Sequence, residues 1–263
     1  MTERSSRVVA AVKLHRGAAR RKSGTFLVEG VNAVTEALAA GLVEELFITD
    51  SAVERYDDLV AAAASVGVRV DRVTERAAER LGETTTPPGV VAVARLIDVP
   101  LDRAIRPEAG LVAVLVEIAE PGNAGTIIRT ADAAGADAVI LVGDSVDPHN
   151  GKCVRASAGS LFHLPIARAA GFDEAAALLR ERGLTILATT IDGDLTLDPT
   201  QPRSGLPEAP VAWVFGNEAH GLSAEVAAAA DHRVGIPIRG RAESLNVAAA
   251  AAVCLYSGAG VVR

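Results

Sequence analysis

The chain has 263 residues, 49% hydrophobic and 22% charged, with a net charge of −7 and only 3% aromatic content. This supplies enough apolar material for one or two packed α/β domains, while charges or prolines interrupt every apolar run short of membrane-spanning length. The negative balance argues against a generic nucleic-acid binder, and two distant cysteines, Cys153 and Cys254, outside any CxxC pattern, read as reduced structural thiols rather than a disulfide or zinc site.

Residues 1–22 depart from that average. Arg4, Arg7, Lys13, Arg16, Arg20, Arg21 and Lys22 are opposed only by Glu3, so this end carries +6 and the remainder −13. A basic end on an acidic body predicts a focused polyanion contact, with a solvated tail as the alternative. No apolar leader follows Met1, which predicts a cytoplasmic protein. Beyond it the pattern alternates: strand Phe26–Glu29, helix Val31–Ala40, strand Leu46–Thr49, helix Val53–Val66, strand Val68–Val70, helix Glu75–Leu81 and strand Gly89–Leu96. Residues 1–97 thus read as a small β/α module. The proline- and charge-rich stretch 98–110 reads as a linker.

Residues 111–263 form the second predicted domain. Apolar strands are expected at Leu111–Val116, Ala138–Val142, His163–Ala167, Thr185–Thr189 and Val211–Phe215, with helices after Pro121, around Arg155 and over Phe172–Glu181. Repeated βα order predicts a mostly parallel sheet with helices on both faces. Asp198–Pro210 reads as a loop. Ile236-Pro-Ile238 should end a further strand, and Ser244 is a natural N-cap for an alanine-rich helix Leu245–Leu255.

Three stretches carry the chemistry. They are Glu120-Pro-Gly-Asn-Ala-Gly-Thr-Ile-Ile-Arg129, Phe215-Gly-Asn-Glu-Ala-His-Gly-Leu-Ser223 and Ile236-Pro-Ile-Arg-Gly-Arg-Ala-Glu-Ser-Leu-Asn-Val247. Each follows an apolar strand, and glycines such as Gly216 let the backbone approach a ligand closely. Neither a GxGxxG fingerprint nor a P-loop is present. In order and spacing the three stretches resemble motifs one to three of the SpoU/TrmH branch of the SPOUT RNA methyltransferases. The segment Lys13–Leu38 more loosely resembles the substrate-binding module, akin to RNA-binding ribosomal proteins, that many SpoU enzymes carry.

The resemblance implies a SPOUT domain with a C-terminal trefoil knot, which periodicity cannot show. It also implies a homodimer built on that domain, S-adenosylmethionine as cofactor, no metal, and methylation of a ribose 2′-hydroxyl in RNA. 23S ribosomal RNA is the favoured substrate; transfer RNA, or a non-catalytic RNA-binding or assembly role, are the alternatives. Arg129 is the expected catalytic residue. A guanidinium suits phosphate gripping and is too weak an acid for proton abstraction to be easy. Asn123, Glu218, Ser244 and Asn246 are expected beside it, with helix capping or a plain loop position as their structural alternatives. Glu218 is expected to orient Arg129 or to contact the cofactor region. Gly216, Ile236, Leu245 and Asn246, with Thr189 as a wall, are the expected cofactor contacts. Arg16, Arg20, Arg21 and Lys22 are expected to meet RNA phosphates by shape and charge, since aromatic stacking residues are scarce. Arg155 is expected at RNA or at the dimer interface.

Overall fold

The computed structural model describes residues 1–84, 86–197, 205–207 and 210–258. Its elements begin with α1 (Ser6–Val12), α2 (Gly17–Ser23), β1 (Thr25–Glu29), α3 (Val31–Ala39), β2 (Val43–Thr49), α4 (Asp50–Arg55), α5 (Asp57–Ser65), β3 (Arg69–Val73), α6 (Glu75–Leu81) and β4 (Val90–Arg95). There follow α7 (Leu101–Ala104), β5 (Leu111–Val116), α8 (Pro121–Ala133), β6 (Ala138–Val142), α9 (Gly151–Ser157), β7 (Ile166–Ala169), α10 (Phe172–Glu181) and β8 (Thr185–Thr189). The last are β9 (Leu195–Thr196), β10 (Val211–Phe215), α11 (Ala224–Ala229), β11 (His232–Gly235) and α12 (Val247–Gly258).

Two compact units result: Met1–Ile97 with Asp147–His163, and Asp98–Val146 with Leu164–Arg263. One unit gives way to the other after Ile97, and two features differ from a simple division into 1–97, a linker and 111–263. Residues 98–110 are no spacer. Ala104, Ile105 and Ala109 are buried in the second unit's core, and the Val99 N–H donates to Ile166 O at 3.0 Å. The prolines and charges of this stretch mask those apolar residues in sequence. The second difference is that Asp147–His163 belongs with the N-terminal residues.

In the first unit the strand order is β1-β4-β2-β3, with β4 antiparallel to β1 and β2, and β2 parallel to β3. The basic N-terminal residues are not a tail: Val8, Ala11 and Leu14 are buried with Leu27, Phe47, Leu81 and Val91. Helix α9 packs on β1. The Phe26 ring meets His149 edge-on at 4.7 Å and stacks on Phe162 at 6.2 Å, tying this excursion to β1. The helix expected over Val53–Val66 is broken at Tyr56 (φ −130°), where α4 ends and α5 begins.

The second unit is built on a sheet ordered β7-β6-β5-β10-β8-β11-β9, in which every described pair is parallel. All residues of β5, β6 and β10 are buried, as expected of strands covered on both faces. Val112, Val114, Ile140, Val214 and Ile186 share one core cluster with residues of α7, α10 and α11. Alternation along the strands leaves Leu111, Ala113, Leu115, Trp213 and Phe215 for the other face, where α8 and α12 pack on β5 and β10. Pro165 and Pro237 lack an N–H for the ladder, so β7 starts later than expected and β11 stops at Gly235 rather than running through Ile238. Among the described residues no helix is long and apolar enough to cross a membrane, and no group of three or more His, Cys, Asp or Glu is placed to hold a metal. The loop expected at 198–210 lies mostly outside the described residues.

Candidate active site

Four neighbouring strands of the second unit, β5, β10, β8 and β11, end on the same side, because the sheet is parallel. Parallel sheets bind ligands beyond such carboxyl ends. The loops there are 117–120, 216–223, 190–194 and 236–246; they hold nearly all of the second and third motifs, while the first begins at Glu120 and runs on into α8. The loop after β10 is closed tightly by reciprocal main-chain bonds between Asn217 and Gly221, at 3.1 and 2.9 Å. Gly221 adopts φ +67°, a glycine conformation. A Cβ on Gly216 would lie 2.4 Å from the Gly221 carbonyl carbon and 2.5 Å from Leu222 N. The expectation that Gly216 leaves room for a ligand is therefore corrected: the space at Gly216 is taken by its own loop.

Glu218 ties this loop to the start of α8. Its carboxylate accepts from the N–H groups of Ala119 (3.1 Å) and Glu120 (3.0 Å), and from Asn123 Nδ2 (3.0 Å). Partial burial raises its pKa, but these bonds outweigh burial and hold the carboxyl below the usual glutamate range. An anion at a helix N-terminus is further favoured by the orphan amides and the helix dipole. Asn123 Oδ1 in turn accepts from Asn246 Nδ2 at 3.1 Å, so one hydrogen-bonded chain, Glu218–Asn123–Asn246, links all three motifs. Asn217 adds a brace, donating from Nδ2 to Glu117 O at 2.8 Å. Glu117 sits at φ +54°, which costs a non-glycine residue about 1 kcal/mol. Sequence alone gives no sign of Glu117.

Several assignments change. Asn246, not Ser244, caps the last helix: its Oδ1 accepts from Ala248 N (2.9 Å) and Ala249 N (3.3 Å). Ser244 lies exposed in the preceding loop. Asn123 stands inside α8, whose N-cap is Glu120. Arg129 lies six residues further on, about 120° around the helix and roughly 9 Å along it. Glu218 makes no bond to it, so the carboxylate orients the helix start and Asn123 rather than the arginine. Arg129 is exposed and has no ion-pair partner among the described residues.

The expected cofactor contacts share this end of the sheet. The Thr189 hydroxyl is committed to the sheet, donating to Val214 O at 2.8 Å. The hydroxyl of the adjacent Thr190 is buried and makes no hydrogen bond. The Thr-Thr repeat at the strand end was its only trace in the sequence. Ile236 is half-buried, whereas Leu245 is 40% exposed and Ile191 is 84% exposed. The backbone N–H groups from Ile236 to Leu245 have no protein partner among the described residues. Unpaired main-chain donors, exposed apolar side chains and one orphan hydroxyl suit an amphipathic ligand of nucleoside size.

In the first unit the basic residues divide. Arg16, Arg21 and Lys22 are exposed and have no ion pair among the described residues, which leaves them available to a polyanion. Arg20 is only 5% exposed. Its guanidinium donates to Asp147 Oδ2 from Nε and Nη2 (3.0 and 2.7 Å) and to the carbonyls of Leu14 and His15 (2.9 and 3.0 Å). Its expected phosphate contact is corrected to a structural one. Arg155 is corrected likewise, pairing with Glu29 (3.0 Å) and Glu83 (3.2 Å). Arg7 is bound by Glu45 and Asp71. The Ile97 N–H donates to His149 Nε2, so His149 Nδ1 carries the proton that meets Asp147. Burial, aided by the Asp147 charge, pushes the Cys153 thiol up to about 12, and burial pushes Cys254 up as well, leaving both unreactive.

Fold and site together define an α/β methyltransferase of the SPOUT class. Residues 110–256 match the model of the SpoU rRNA methylase family, and residues 27–98 match that of the RNA 2′-O ribose methyltransferase substrate-binding domain. The chain belongs to the SpoU rRNA methylase family. It is 34% identical over 249 residues to the 23S rRNA (guanosine(2553)-2′-O)-methyltransferase RlmP of Bacillus subtilis strain 168, spanning 93% of this chain and 92% of that one. The AdoMet-bound rRNA methyltransferase from Sinorhizobium meliloti aligns with a TM-score of 0.83 at 33% identity, covering 97% of this chain and 94% of that one. AviRb from Streptomyces viridochromogenes, in complex with the cofactor AdoMet, gives a TM-score of 0.84 at 31% identity, with 97% of each chain covered.

Proposed function

We propose that this protein transfers a methyl group from S-adenosylmethionine to a ribose 2′-hydroxyl of 23S ribosomal RNA, in the cytoplasm. The observation that carries this reading is the Glu218–Asn123–Asn246 chain, which joins the three motifs, with Arg129 of the first motif exposed and without an ion pair among the described residues. The unpaired main-chain groups of 236–245 and the orphan Thr190 hydroxyl fit the cofactor's polar edges, while Ile191 and Leu245 offer apolar contact. Bound S-adenosylmethionine supplies an electrophilic methyl, and the O–CH3 bond forms as the S–CH3 bond breaks. Alignment and electrostatics are then this chain's task. A guanidinium presents only N–H donors, so Arg129 donates to a phosphate or to the 2′-oxygen, and the hydroxyl proton leaves to water. Arg16, Arg21 and Lys22 hold the RNA backbone through charge. Within the same reading the working unit is a homodimer, supported by the small apolar residues of α8 and α12, and the C-terminal segment is knotted.

The test uses the full chain, S-adenosylmethionine and deproteinised 23S rRNA, with 2′-O-methylation read as resistance to alkaline cleavage. Arg129→Ala should keep cofactor affinity by calorimetry while methylation falls by about 10²-fold or more. Absence of RNA methylation by the wild type, or a collapse of cofactor affinity in the variant, overturns the reading.

A further inference from the structure

We infer that Arg239 and Arg241, in the loop between β11 and α12, form a second phosphate-gripping element beside the reacting ribose. The inference rests on the RNA reading above and names residues that neither the motifs' chemistry nor the hydrogen-bonded chain employs.

The observation is a sorting of cations. In the second unit Arg106 pairs with Glu108, Arg180 with Asp231, Arg182 with Glu181 and Arg233 with Asp194. Arg168 donates to Ser145 O. Arg103, Arg129, Arg239 and Arg241 have no carboxylate partner among the described residues. Arg103 belongs to α7, which packs on β6 and β7 at the far edge of the sheet. The other three sit on α8 and on the loop that follows β11, where the motif residues gather. Glu243, two residues past Arg241, pairs with neither arginine although it is the nearest acid in sequence. In a body with an excess of carboxylates, leaving these particular arginines unpaired keeps their full donor sets open for a ligand.

The loop that carries them is fixed at both ends and free between. Gly235 O accepts from Leu197 N at 2.9 Å, and Asn246 caps α12 while bonding Asn123. Between those anchors no backbone N–H is taken by a protein group among the described residues. Two residues of chain span at most about 7 Å, so Arg239 and Arg241 can reach neighbouring phosphates of one RNA strand. Guanidinium groups bind phosphate through paired N–H donors, which also fixes orientation. The loop therefore sets the register of the backbone on the catalytic side, independently of the first unit's cations.

The experiment compares wild type with Arg239→Gln/Arg241→Gln as full-length protein, using deproteinised 23S rRNA as the probe. Each neutralised phosphate contact lowers the salt slope of RNA binding by about 0.7–0.9, so the pair should lower it by about 1.4–1.8. KM for RNA should rise by more than kcat falls, with the thermal midpoint and S-adenosylmethionine affinity unchanged. An unchanged slope and KM, with wild-type methylation intact, overturns this inference alone. Weakened cofactor binding with an unchanged slope also overturns it, because the arginines would then serve the cofactor's carboxylate. If the wild type methylates no RNA, the functional reading fails instead.

Discussion

Replacing Arg20 by alanine separates a structural from a substrate-binding role. The side chain is 5% exposed, and all three guanidinium nitrogens are engaged, by Asp147 and by the carbonyls of Leu14 and His15. Breaking a buried pair from one side costs about 3–5 kcal/mol. Here the cost should be nearer about 2–4 kcal/mol, because Asp147 is partly exposed, keeps its bonds from His149, and water can reach some of the freed acceptors. That is a large share of a typical stability of about 5–15 kcal/mol. With a urea slope of about 2–3 kcal/mol/M the unfolding midpoint should drop by about 1 M, read by circular dichroism. Arg20→Lys should recover less than half, since an ammonium cannot span both the carboxylate and the two carbonyls. Acid should act on the same contact. Burial raises the Asp147 pKa, but bonds from His149 and Arg20 hold it well below the ordinary range. Its contribution is thus full above the unfolded value of about 4 and is lost as the pH falls through the folded one. The reasoning is refuted if Arg20→Ala unfolds at the wild-type urea concentration yet loses RNA affinity as Arg21→Ala does.

Two further substitutions probe the active site. Gly216→Ala should destabilise the second unit by about 1–3 kcal/mol and weaken S-adenosylmethionine binding together, because its Cβ meets the Gly221–Leu222 backbone; normal calorimetric affinity with unchanged stability would contradict this. Asn246→Ala should lose both the cap, about 1 kcal/mol, and the bond to Asn123, whereas Asn246→Asp keeps the cap oxygen and loses only the amide donor. Methylation should fall in both and stability chiefly in the first; equal stability loss in the two would show that the cap is not what Asn246 provides.

What the chain determines locally could be read from it directly. The fully apolar strands Leu111–Val116 and Val211–Phe215, each followed by a glycine-bearing turn, identify a two-sided parallel sheet, because continuous burial leaves its mark at every residue. The three motifs identify the family, and their place after strands puts them at one end of that sheet. Tertiary structure decided what each polar residue does there. Asn246 rather than Ser244 became the cap, Asn123 became the bridge between Glu218 and Asn246, and Glu218 turned to the start of α8 instead of to Arg129. The last two choices depend on distances between residues about a hundred positions apart, and spacing along the chain does not encode them. The same holds for the cations. Arg20, Arg21 and Arg155 are alike as letters, but Asp147, Glu29 and Glu83 compensate two of them and leave Arg21 to solvent. Each pair joins the segment Asp147–His163, which supplies Asp147 and Arg155, to residues far from it in sequence, which supply Arg20, Glu29 and Glu83. A guanidinium's role follows from whichever carboxylate the fold brings within reach.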